Sequence, residues 1–149
     1  MILADEAATA RLGAAIAAAL RPGEAVCLSG PLGAGKSTLA RALVRALTTP
    51  DEEVPSPTFT LVQFYEGGRL SVAHFDLYRL SSADEAYEIG LDEALDEGAA
   101  VIEWPERLGS QLPPDRLDVE ITAGDDVDGR HVRLEPHGAW EGRKLEFGA

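Results

Sequence analysis

Gly30-Pro31-Leu32-Gly33-Ala34-Gly35-Lys36-Ser37 lies between an apolar run, Ala25-Val26-Cys27-Leu28, and a helical repeat of Leu39, Leu43 and Leu47. A strand, a glycine-rich turn and a helix in that order are the context of a P-loop. The glycines allow successive backbone N–H groups to turn inward around phosphates, and the following helix presents its positive N-terminal end to the same charge. Lys36 then reaches the β- and γ-phosphates, and the Ser37 hydroxyl is offered to Mg²⁺, which neutralises triphosphate charge. Lys36 and Lys144 are the only lysines, so Lys36 does not come from a lysine-rich background.

Outward from the loop, the pattern is that of a single α/β domain. Leu12, Ile16 and Leu20 mark a helix over 5–20 that Arg21-Pro22-Gly23 ends, and residues 24–29 form the strand before the loop. After the second helix comes a Pro-containing polar loop over 48–57. Runs over 58–65 and 70–75, separated only by Glu66-Gly67-Gly68-Arg69, read as a hairpin, so the sheet is mixed rather than wholly parallel. Ser82 with Glu85 three residues later has capping-box spacing for a helix over 82–89 that Gly90 ends, followed by a short helix over 91–97. Residues 99–104 read as a buried strand stopped by Pro105, and 116–121 with 130–135 as a terminal hairpin. The expected fold is a three-layer α/β/α P-loop domain over 1–149, with 136–149 as a C-terminal tail.

Composition narrows the partners. The chain has 149 residues, 45% of them hydrophobic, and a formal charge of −13. Nucleic-acid binding draws most of its affinity from Lys and Arg on phosphates, so this surface is expected to repel free RNA or DNA. No apolar stretch is long enough to span a membrane, and the N-terminus has no basic region ahead of an apolar core. The single Cys27 rules out a disulfide framework. A cytoplasmic, membrane-free protein is expected.

A P-loop needs an acid at the end of a neighbouring strand to hold the metal or its waters. Asp76 ends Val72-Ala73-His74-Phe75-Asp76, and Glu103 ends Ala99-Ala100-Val101-Ile102-Glu103. One would ligate metal while the other orients water. Ser56-Pro57-Thr58-Phe59-Thr60 is placed like a γ-phosphate-sensing switch loop. His74 reads as a packed strand histidine rather than a base.

Together these blocks resemble the bacterial TsaE (YjeE) family. The match runs through residues 30–38, Ser56 to Val62, His74-Phe75-Asp76-Leu77-Tyr78-Arg79-Leu80 and Ile102-Glu103-Trp104. The first block is generic to P-loop proteins, and the other three in this spacing are specific. The resemblance implies an ATPase assisting the TsaD and TsaB proteins that attach threonylcarbamoyl to the adenosine beside the anticodon of tRNA, with tRNA met only through that complex. It implies catalytic roles for Lys36, Asp76 and Glu103, and Mg²⁺ ligation by Ser37 and Glu103. It further implies ATP contacts from Thr9, Leu32, Gly33, Ala34, Gly35, Lys36, Ser37, Thr38 and Trp104. Pro31 stands where the family commonly has Asp, and Ser37 where it has Thr; a serine hydroxyl ligates magnesium as threonine does.

Other readings compete with this one. A small-molecule or nucleotide kinase shares the loop sequence but needs an acceptor pocket, and the arginines are scattered singly with no Arg-rich lid. A GTP-dependent switch would carry Asn-Lys-x-Asp, and the chain contains no asparagine. Direct RNA binding is disfavoured by charge. Arg79, just after Asp76, is the nearest arginine in sequence to the proposed γ-phosphate end.

Overall fold

The computed structural model describes residues 2–31, 35–50, 52–54, 61–66, 70–80, 82–124 and 129–145. Seven strands form one sheet: β1 (Ile2–Leu3), β2 (Ala25–Ser29), β3 (Val62–Tyr65), β4 (Val72–Asp76), β5 (Ala99–Glu103), β6 (Arg116–Ala123) and β7 (Arg130–His137). Their order is β1-β7-β6-β2-β5-β4-β3. The central strands β4, β5, β2 and β6 are parallel, while β3, β7 and β1 add antiparallel edges. The sheet is mixed, as the short β3–β4 and β6–β7 links require.

Alternation along the strands builds two separate cores. Val26, Leu28, Val72, Val101, Val119 and Ile121 pack with the helices α1 (Glu6–Ala19) and α2 (Lys36–Leu47), whose Leu12, Ile16, Leu39 and Leu43 are fully buried. Ala25, Cys27, Ala73, Phe75, Ala100 and Ile102 point the other way. There they meet α3 (Ala83–Glu88), α4 (Leu91–Glu97) and a 3₁₀ segment, Pro105–Gln111. Each large apolar side chain so buried contributes about 1.5–3 kcal/mol. Helices on both faces make the three layers.

Local chemistry explains the boundaries. Asp5 caps α1, its carboxylate accepting from the Ala8 N–H at 2.8 Å. Ser82 occupies the N-cap of α3, but its hydroxyl makes no capping bond, so the capping-box expectation is not realised there. β3 starts at Val62 rather than at 58; residues 55–60, the turn at 67–69 and the phosphate-loop residues Leu32, Gly33 and Ala34 lie outside the described residues.

The segment after Pro136, set apart as a tail in the sequence, is packed as far as residue 145. β7 continues to His137, Trp140 is buried at 1% exposure, and Arg143 donates to both Glu24 carboxylate oxygens at 2.6 and 2.8 Å. Arg143 also bonds the Ala19 carbonyl at 3.0 Å, tying this segment to the end of α1.

Candidate functional site

β2 ends in the glycine turn and α2 begins at Lys36. Gly30 has φ +137°, and a Cβ built on it would stand 2.0 Å from the Ile121 carbonyl oxygen, so only glycine lets the chain leave β2 alongside β6. Gly35, at the N-cap of α2, has φ +108°.

Lys36 is buried. Its ammonium donates to the Gly30 carbonyl and stands 3.3 Å from the centroid of the Trp104 ring, a cation–π contact. Burial pushes the Lys36 ammonium below its usual value, opposed by the carboxylates of Glu103, Glu106 and Asp76. The ammonium is thus held between the Gly30 backbone and the Trp104 indole.

Parity along the parallel strands brings the acids to the strand ends beside the start of α2. Asp76 is in register with Glu103. Both share the sheet face of Val72 and Val101, which is the face α2 covers. Glu103, at 3% exposure, accepts a hydrogen bond from the Ser37 hydroxyl through Oε1 at 3.2 Å. Its Oε2 lies 2.6 Å from His74 Nε2, with His74 at 2% exposure. Asp76 is half-buried and accepts the Tyr78 N–H at 3.1 Å, closing an Asx turn after β4.

The turn after β5 aims the indole. Trp104 has φ 61° and ψ 51°, a left-handed conformation that costs a bulky residue roughly 1–3 kcal/mol. Pro105 starts the next segment, and the Trp104 ring lies 4.9 Å from that of Tyr78. Indole and phenol form an aromatic wall beside Lys36.

A family model described as threonylcarbamoyl adenosine biosynthesis protein TsaE matches residues 3–132. The chain belongs to the TsaE family. Curated relatives named tRNA threonylcarbamoyladenosine biosynthesis protein TsaE include that of Treponema pallidum, 43% identical over 76% of this chain and 83% of the relative. That of Rickettsia felis is 36% identical over 85% and 74%. A crystal structure of Bacillus subtilis YdiB superimposes with a TM-score of 0.77 at 29% identity, covering 95% of this chain and 87% of that one. The α/β fold with a mixed sheet is therefore that of the TsaE family.

Within this TsaE-family chain, Lys36, Ser37, Asp76, Glu103 and Trp104 converge on one strand-end cluster. Thr9 is buried in the first turn of α1, where its hydroxyl donates to the Asp5 carbonyl at 3.3 Å. Thr38 lines a cavity of about 380 Å³ between α1 and α2, with Glu6, Ala10 and Arg41. Arg79 is exposed.

Sequence reasoning missed the bond from His74 to Glu103, although both parity and the adjacent Asp76 pointed His74 to this face. It also gave no role to Tyr78, two residues after Asp76, or to Arg130, which only the tertiary fold brings beside Gly35. Cys27 is buried on the opposite sheet face, and burial pushes its thiol far above the usual range, so it offers no nucleophile.

Magnesium is commonly held by one or two protein oxygens together with substrate phosphates. Among the described residues no group of three or more His, Cys, Asp and Glu forms a metal cage. The adjacent Ser37 hydroxyl and Glu103 carboxylate are hard oxygen donors at a helix N-terminus, and this donor set fits such an ion.

Proposed function

We propose that this protein is a Mg²⁺-dependent ATPase accessory to the installation of threonylcarbamoyl on the adenosine beside the anticodon of tRNA, acting with TsaD and TsaB. The observation that carries the reading is the Ser37–Glu103 hydrogen bond at the start of α2, beside the buried Lys36. It joins a P-loop hydroxyl to a strand-end acid far away in sequence. The names of the relatives supply the pathway.

In this reading the backbone N–H groups of the loop and the N-terminus of α2 bind the phosphates, and Lys36 supplies a fixed positive charge to them. Ser37 and Glu103 hold Mg²⁺, which when bound neutralises triphosphate charge. His74 fixes the rotamer of Glu103, leaving Oε1 toward Ser37. Asp76, in register with Glu103, orients the attacking water. Trp104 and Tyr78 shield this end from bulk water.

A group supplied in trans to meet charge on the γ-phosphoryl is worth about a thousandfold to a hundred-thousandfold in rate in related chemistry. Phosphate release by the isolated chain is therefore expected to be slow and to rise steeply when TsaB and TsaD are added. Lys36→Ala should lose ATP binding or turnover under both conditions. Full-rate turnover by the chain alone, with phosphate passing to a small-molecule acceptor and no response to those partners, would replace this reading with a kinase.

A further inference from the structure

Lys36 stands among acids and is paired with none of them. Ser37, the next residue, bonds Glu103; Asp76 is in register with Glu103, and Glu106 follows Trp104 by two residues. Burial disfavours the charged form of Lys36, and all three carboxylates favour it. Yet among the described residues no carboxylate lies within ion-pair distance of its ammonium. Its partners are uncharged: the Gly30 carbonyl and the Trp104 indole, whose ring centroid is 3.3 Å from the ammonium. A cation beside carboxylates ordinarily closes on one of them, because Coulomb attraction grows as water is excluded. A π face attracts the same cation without cancelling its charge.

The backbone holds the indole in this place at a cost. Trp104 keeps φ 61° and ψ 51°, a conformation that glycine adopts without strain. Its N–H donates to the Leu28 carbonyl at 3.3 Å and its carbonyl accepts the Arg107 N–H at 3.2 Å, so the turn is fixed on both sides. The Tyr78 ring, 4.9 Å away and inclined by 50°, packs against the indole. Backbone strain that the surroundings keep in place clusters at functional sites.

We infer that Trp104 is a positioning residue that acts through Lys36: its indole keeps the ammonium off Asp76, Glu103 and Glu106, leaving the lysine free for phosphate and the acids free for metal and water. This rests on the nucleotide-binding reading above. Without the indole, Lys36 falls onto a carboxylate. An incoming phosphate must then break an ion pair to reach it, and the acid so paired is lost to its own task.

The chain contains only two lysines, Lys36 and Lys144, so the contact can be read in the NMR spectrum of the whole chain carrying isotope-labelled lysine. The ring current of Trp104 should move the ε-methylene signal of Lys36 upfield of that of the exposed Lys144, and Lys144→Arg assigns the two. Trp104→Leu should abolish the displacement, and Trp104→Phe should keep part of it. In calorimetry Trp104→Leu should bind ATP about tenfold more weakly, the scale of one desolvated cation–π contact, and Trp104→Phe should recover part of the loss. Thermal melting establishes that each variant is folded. A Lys36 signal coincident with that of Lys144 in the parent overturns the inference. So does parental or tighter ATP binding by a folded Trp104→Leu, the tighter case meaning that the indole competes with phosphate for the ammonium. If Trp104→Leu and Trp104→Phe both fail to fold, Trp104 is a structural residue and the inference also falls. A parent that binds no ATP would remove the nucleotide reading itself, whereas a binding parent with an undisplaced Lys36 signal removes only the role of Trp104.

Discussion

Glu103 is a single carboxylate whose two oxygens make different bonds. Oε1 accepts from Ser37, and Oε2 is held by His74 in a buried pair. A glutamine has the same shape and can keep both contacts, so Glu103→Gln isolates the charge. Asp76→Asn does the same at the neighbouring strand end, because an amide oxygen still accepts the Tyr78 N–H. Both variants are expected to melt near the parental temperature. Phosphate release with TsaB and TsaD should fall about a hundredfold or more, the scale of a lost charge-positioning group, while nucleotide affinity falls less. Rates at the parental level in either variant would reduce that acid to a strand terminus.

At the scale of elements, much of this site was legible because the signals were local. An apolar run ending in an acid locates the C-terminal end of a parallel strand, and glycines followed by Lys36 locate the start of α2. What was not legible depended on neighbours. β1 spans only Ile2–Leu3, too short to show a period, and exists because β7 offers it an edge. The 3₁₀ segment after Trp104 follows from a left-handed turn that Pro105 alone does not announce. The packing of 138–145 depends on Glu24, a residue more than a hundred positions earlier. Gly13 is another such case: on α1 it reads as a weak helix residue, but α2 passes so close that a Cβ there would stand 2.9 Å from the Ala42 Cβ and 3.1 Å from the Leu43 backbone nitrogen. Gly13→Leu gains less helix propensity than the about 0.8–1 kcal/mol that separates glycine from alanine, and it must push α2 away to fit. Overpacking of this kind costs about 1–3 kcal/mol or more, so the variant should be less stable. A denaturant midpoint at or above the parental value would show that the helices are not held at this distance.

For the whole molecule the deciding quantity is charge. The fold puts Lys36 and Arg130 at the start of α2, beside Gly30 and Gly35, but the net charge of −13 governs encounters at longer range. A small anion such as a nucleotide meets the local field of a helix N-terminus and two nearby cations. A tRNA, many times larger, meets the field of the whole surface and finds few lysines and arginines from which to release counterions. Discrimination between the two polyanions is thus a matter of scale. In fluorescence anisotropy near physiological salt, about 0.15 M, the isolated chain should bind labelled tRNA only weakly and with little salt dependence. Adding TsaB and TsaD should bring tRNA and this chain into one assembly through the partners' surfaces. Submicromolar, steeply salt-sensitive binding of tRNA by the chain alone would mean that a basic face outweighs the net charge, and the accessory role would give way to direct recognition of the RNA.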